Sequence, residues 1–267
     1  QSGPWKRVLF PPASPYNGMV VRRRDTPNYR RQMTHTLEAT EALAAYLDNR
    51  YAESLLAHRH ELIDVRSMSW RGWETALRYT YEREPAPLEK LLRQITRTRR
   101  QTFERACRQG YRFEQSDDIT AFLPLYQLTY SRHGVETPLS PSQVKIMYRL
   151  AAEHDTARLY ITRSPAGDSV SALIILYDAH RFYTWLFANH PAHLREGVPT
   201  FTALCAVDAM VGQAPLGDFA SANLPQLHRS VLEEGGILQP VLVTHYSRSR
   251  LLQCLHEIGL ILGGENG

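Results

Sequence analysis

Asp218 stands directly before Phe219 in the stretch GDFASANLPQLHRSVLEEGG, between a short apolar helix and a second helix that closes on Gly235-Gly236. A carboxylate at the end of a strand in an α/β sheet lies where such folds place their sites. With a raised pKa it could take the proton from an attacking amine. A turn or helix-capping aspartate is the plainer reading of the same residue. Tyr183, in RFYTWLF, is the second candidate. Alternation puts Tyr183 and Trp185 on one face of a strand, with Phe182 and Leu186 on the other. Its phenol could protonate a leaving thiolate or hydroxyl; packing within the sheet is the alternative.

Arginines supply the next pattern. Arg93, Arg97 and Arg100 follow at spacings of four and three in LEKLLRQITRTRRQTFERACRQG, which reads as one long basic helix stopped by Gly110. Guanidinium forks match phosphate oxygens, so Arg97 and Arg100 are candidate contacts for a phosphorylated donor; a solvated charged face is the bland alternative. Trp70, Trp73, Tyr79 and Tyr81 could line an acceptor cleft or simply fill a core. His190 and His193 sit three apart around Pro191, and no third ligand stands at metal spacing. No zinc, P-loop or dinucleotide pattern occurs, and neither Cys107 nor Cys205 has a histidine in a nucleophilic arrangement.

The elements that must position these residues form an α/β (α+β) chain. Residues 5–22 read as extended, 35–51 as an amphipathic helix, ESLLAHR as a strand, and LRYTYER as a half-buried strand. Asp117 or Asp118 caps a helix running to Arg132, and Ser140-Pro141 opens another. From Thr156 the pattern is a three-stranded meander, then alternating helices and strands. The change of character at Pro85 and Pro87 sets the expected division: a first unit over 1–84 and a second over 85–267.

Composition narrows the partners. The chain of 267 residues carries a net charge of +4, and only three of its 31 basic residues are lysine. Residues 87–112 hold eight Lys/Arg against two Glu, a local +6, so everything else sums to −2. That is a patch, which disfavours diffuse nucleic-acid binding and favours a local anionic partner. Three distant cysteines (Cys107, Cys205, Cys254) form no disulfide framework, and no apolar run is long enough to span a membrane. A cytoplasmic protein is the expectation.

Four stretches in order carry a resemblance: PPASPYNGMVV, DVRSMSWRGWETALRYTY, the basic helix with Arg100, Ala106 and Gly110, and the closing segment from Asp218-Phe219 to Gly235-Gly236. Together they resemble the FemAB-like branch of the GNAT acyltransferases, over roughly residue 8 onward. The resemblance implies tandem GNAT-like units, each a mixed sheet flanked by helices, with the first unit incomplete here. It also implies transfer of an acyl or aminoacyl group to a small amine acceptor, often a bacterial cell-envelope precursor. The co-substrate would be acyl-CoA or aminoacyl-tRNA, with no permanently bound cofactor and no metal, and tRNA is a possible partner. Oligomeric state stays open. Arg195 and Gly197 fall where the family binds donor phosphate at a helix start. The chain departs from the family there, because its glycine comes early and Pro199 removes a donor. The other reading is a non-catalytic GNAT-like module that binds a nucleotide-linked ligand or a protein.

Overall fold

The computed structural model describes residues 6–248 except Arg23, His133, Ala220, Ser221 and Leu224; Cys254 lies outside them. In chain order the elements are β1 (Arg7–Val8), α1 (Tyr29–Arg50), β2 (Glu53–Ala57), α2 (Arg66–Trp70) and β3 (Glu74–Arg83). Then come α3 (Leu88–Gln94), α4 (Arg97–Arg108), β4 (Arg112–Ser116), α5 (Ile119–Arg132) and α6 (Pro141–Glu153). The chain continues through β5 (Ala157–Arg163), β6 (Ser169–Tyr177), β7 (Phe182–Asn189) and a 3₁₀ turn (Pro191–His193). It closes with α7 (Val198–Ala209), β8 (Gly217–Asp218), α8 (Pro225–Glu233) and β9 (Ile237–Ser247).

By internal packing the chain divides into one unit of residues 1–79 with 239–267 and a second of residues 80–238. It therefore crosses twice, where the sequence reading had one passage at 84/85. In the first unit β1 runs parallel to β2, and β2 pairs antiparallel with β9 from Glu53↔Ser247 to Ala57↔Val243. The amphipathic face of α1 delivers Ala44 and Leu47 to a core with Leu56, Met68 and Trp73. Of the extended stretch 5–22, only Arg7–Val8 pairs as a strand among the described residues. Asn17 instead clamps the segment to β2, its side chain donating to the Leu55 carbonyl (2.9 Å) and accepting from Ala57 N (2.8 Å).

In the second unit β4, β5, β6 and β7 form an antiparallel run, and β7 meets β8 in parallel. The last residues of β3 pair antiparallel with β8, which makes the sheet mixed. Leu173, Ile175 and Phe182 carry one face of it into a core with Phe103, Phe201, Leu204 and Met210. Burial along β3 does not alternate as expected: Glu74–Tyr79 are exposed and Thr80–Arg83 buried.

The long basic helix is two helices. Ile95 is extended, and Thr96 begins the second helix as an N-cap whose hydroxyl accepts from Arg99 N. A β-branched residue with a capping oxygen favours that break over continuation. Arg93 therefore lies on α3, away from Arg97 and Arg100 on α4, and the three-arginine row does not form. The other caps agree with the sequence: Asp118 accepts from Thr120 N (3.0 Å), and Ser140 forms a capping box with Gln143.

Candidate active site

The site is built at the meeting of β7 and β8. Two-residue β8 pairs with β7 only at Phe182↔Gly217 and Tyr183↔Asp218, while β7 runs on to Asn189. On the opposite edge of β7, Thr184 pairs with Ile175 and Leu186 with Ile174, so Trp185 is the extra residue of a β-bulge. The bulge corrects the expected alternation: Phe182 faces with Phe187 into the core, and Leu186 leaves with Tyr183 on the other side. Gly217 is obligatory at this junction, because a Cβ there would lie 2.2 Å from the Phe182 ring.

Asp218 and Tyr183 are register partners, so their side chains leave the same face. Asp218 is 1% exposed, and Thr80 donates its hydroxyl to Oδ1 at 2.6 Å. Glu82, the cross-strand neighbour of Asp218, binds buried Arg181. The row on this face is polar and buried, which needs the internal partners it has.

The other expected contacts separate. Arg97 is exposed at the start of α4, while Arg100 is half-buried with Nε donating to the Leu92 carbonyl at 2.8 Å. Arg195 is exposed, and its carbonyl accepts from Arg105 Nη1 at 2.7 Å. Gly197 caps α7 with φ 88°, and a Cβ on it would fall 2.3 Å from the Thr102 carbonyl of α4. The turn before it is bonded to itself, Gly197 N to Leu194 O and Glu196 N to His193 O. This helix start is packed, not an open phosphate cradle. Of the aromatics, Trp73 is buried with its indole N–H donating to Asp48 (2.8 Å) and its ring stacked on Tyr246. Tyr81 is buried, whereas Trp70 and Tyr79 are exposed.

His190 and His193 are also accounted for. His190 caps Ala192 N, and His193 Nδ1 lies 2.7 Å from the Tyr111 hydroxyl. Among the described residues no group of three or more His, Cys, Asp or Glu could hold a metal ion. Burial pushes the Cys205 thiol up to about 12, which removes it as a nucleophile.

Residues 89–211 match the family profile of the acetyltransferase (GNAT) domain. The matched segment is thus similar to a GNAT domain. It lies wholly within the second unit and includes the bulged strand β7 and helix α7. Across most of the chain the fold is similar to the crystal structure of FemX, at 13% identity and TM-score 0.65 over 85% of this chain and 79% of that one. It is similar too to the C-terminal domain of a putative lysylphosphatidylglycerol synthetase from Agrobacterium fabrum (10% identity, TM-score 0.58, 88% and 79% covered). L-PGS from Bacillus licheniformis gives 11% identity and TM-score 0.55 over 88% and 80%. No curated protein matches the chain. The resemblance to the FemAB-like branch drawn from sequence is thus met at the level of fold.

One cluster was not anticipated. Glu234, just beyond α8, accepts from the Thr200 hydroxyl of α7 at 2.9 Å and lies 4.0 Å from Arg99 of α4. Its backbone carbonyl accepts from buried Arg83, whose Nη2 also donates to Gln94 Oε1 at 3.0 Å. Together with Ala203, Leu204, Val207, Phe219, Val231 and Gly236, Arg83 and Glu234 line a small cavity. The Glu-Glu-Gly-Gly run was the available signal, and it read as no more than a helix end.

Proposed function

We propose that the chain is an N-acyltransferase that moves an acyl or aminoacyl group from a phosphate-bearing donor to an amine, by direct attack and without a covalent enzyme intermediate. The observation that supports this most is the β7–β8 junction: two parallel strands meet for two residues, with a bulge in the longer one directly beyond. A carbonyl laid along β7 at the bulge meets backbone N–H dipoles there, which favour the oxyanion of a tetrahedral intermediate. In this reading the amine nitrogen bonds to the carbonyl carbon and gives its proton to Asp218. The carbon–sulfur or carbon–oxygen bond then breaks, and the leaving thiolate or hydroxyl takes a proton from Tyr183. Thr80 holds the Asp218 carboxylate in place.

The donor is acyl-CoA or aminoacyl-tRNA. The packed start of α7 and the missing N–H of Pro199 disfavour a standard CoA pyrophosphate loop. Exposed Arg97 is the phosphate contact in this scheme, with exposed Arg195 in the same sequence-derived role and Gly197 left to packing. The same packed turn favours a second reading, a GNAT-like module that binds a nucleotide-linked ligand or a protein without turnover.

Single-turnover transfer to a panel of amines, from labelled acetyl-CoA and from labelled aminoacyl-tRNA, separates the two. Asp218→Asn should slow transfer by about 10²–10⁴-fold, the usual share of a general base, with donor affinity unchanged. Arg97→Glu should weaken donor binding. An active preparation indifferent to Asp218→Asn removes Asp218 as the base, and no transfer with any donor supports the binding module.

A further inference from the structure

The first unit carries an exposed surface that neither its core nor the proposed acyl transfer uses. Val20, Tyr29, Ile63 and Trp70 stand 76%, 70%, 71% and 70% exposed. A single exposed apolar side chain is ordinary, whereas several on one side of a fold mark an interaction site. Two of the four are turned outward by their own neighbours. Met19 and Val21 pack against the core that holds Leu56 and Trp73, which leaves Val20 facing out. Leu62 enters the same core and leaves Ile63 outside it.

The chain brings these residues to one end of the unit. Gly18 N donates to the Ala57 carbonyl at 2.8 Å, so the segment with Val20 passes the last residue of β2, where the loop to Ile63 begins. Helix α1 reverses into β2 through Tyr51 and Ala52, which sets its start, with Tyr29, at that same end. Helix α2 joins it there: Arg66 lies 5.9 Å over the Trp70 ring and within electrostatic reach of Tyr29. Between residues 20 and 35 stand five arginines and one aspartate, a local +4. Arg22, Arg24, Arg30 and Arg31 are exposed, and none of them has a carboxylate partner among the described residues. Arg30 and Arg31 fall in the first turn of α1, where the helix dipole disfavours cations, so the helix itself gains nothing from their charge.

We propose that this end of the first unit docks on an anionic lipid surface, with its arginines on headgroup phosphates and its four apolar side chains in the boundary between headgroups and acyl chains. Guanidinium groups pair with phosphate oxygens, and an anionic leaflet attracts basic segments within a Debye length. Trp70 and Tyr29 suit that boundary, since each has an apolar body and a polar tip. Val20 and Ile63 decide against a nucleic acid. Neither has a flat face on which a base could stack, whereas acyl chains take both out of water. The inference does not rest on acyl transfer, and surface docking needs no membrane-spanning helix.

Co-sedimentation of the whole chain tests it, with vesicles of phosphatidylcholine alone, with vesicles that also hold phosphatidylglycerol, and with a single-stranded RNA oligonucleotide as competitor. The chain should sediment with the anionic vesicles only, and less so as salt rises. Arg30→Gln with Arg31→Gln should weaken that binding by about 25-fold, roughly fivefold for each arginine. Val20→Ser with Ile63→Ser should weaken it at unchanged charge. Should either pair fold poorly, brominated acyl chains read the native chain directly: they should quench a tryptophan signal that is lost in Trp70→Phe. Sedimentation with both vesicle types equally, or with neither, overturns the proposal, as does quenching that Trp70→Phe leaves unchanged. Binding that ignores Val20→Ser with Ile63→Ser and is displaced by the RNA also overturns it, and makes the surface a nucleic-acid site.

Discussion

Trp73 shows how a single residue type can point to two roles. A tryptophan near other aromatics suits an acceptor cleft, yet its ring lies in a core with Ala44, Leu47 and Met68, and its N–H is fixed by Asp48. Trp73→Phe should leave the Asp48 acceptor short of a donor and cost about 1–3 kcal/mol, read by urea denaturation. A rise in the acceptor KM at unchanged stability would return Trp73 to the substrate. Gly197 is the converse, a residue expected to touch phosphate that the fold requires for packing. Its φ of 88° and the Thr102 carbonyl both oppose a side chain, so Gly197→Ala should cost more than about 1 kcal/mol. A melting point equal to the native chain's would contradict that account. Asp218 and Tyr183 were picked from sequence one at a time, and only the register of β7 against β8 makes them neighbours. Glu234 was not picked, since its surroundings come from four segments distant in sequence.

Among the elements, the meander from Ala157 to Asn189, the capped helices α5 and α6, and α1 were all readable from periodicity and capping residues. What sequence could not show follows from tertiary pairing. The bulge at Trp185 is one residue of register between β6 and β7, and no local propensity announces it. Two-residue β8 is too short to carry a period at all. The broken basic helix was misread for a local reason: its arginines kept helical spacing across Ile95-Thr96, and charge periodicity masked the cap. That cap gives an element-scale prediction. Thr96→Ala should cost the α3–α4 junction about 1 kcal/mol, while Thr96→Ser should cost only a few tenths, compared by thermal unfolding. Equal losses in both would mean that the hydroxyl does not cap α4.

At the scale of the molecule, stability should carry two opposed pH dependences. His58 is fully buried in the first unit, its Nε2 2.9 Å from the Thr244 hydroxyl, and burial lowers its pKa to about 4. The unfolded chain then binds the extra proton as pH falls from about 6.5 to about 4, so the folded state loses on the order of 3 kcal/mol across that window. Glu234 acts in the other direction between the ordinary glutamate range and about 7. Urea titrations from pH 4 to 8 should therefore show stability rising more steeply with pH below 6.5 in Glu234→Gln, and falling as pH rises from 4.5 to about 7 in His58→Gln; parallel curves would contradict both assignments. Charge is also distributed on this scale. The +6 of residues 87–112 lies on α3, α4 and the start of β4, yet Glu89, Glu104 and the Leu92 carbonyl hold Arg93, Arg108 and Arg100. Arg97 keeps the exposed position that a phosphate needs. Among the described residues no helix is long and apolar enough to cross a membrane.

The central proposal, that the chain takes a phosphate-bearing acyl donor, is tested most directly by thermal unfolding in the presence of candidate donors. Acetyl-CoA, desulfo-CoA and a non-hydrolysable aminoacyl-tRNA mimic would be titrated in parallel against the native chain and Arg97→Glu. A ligand that binds only the folded state raises the midpoint with concentration, by about 2.7 kcal/mol of added stability at a hundred times its Kd. A saturable rise with one donor class, weakened in Arg97→Glu, is the expected result. Silence with all three would contradict acyl transfer and leave a GNAT fold that binds something else.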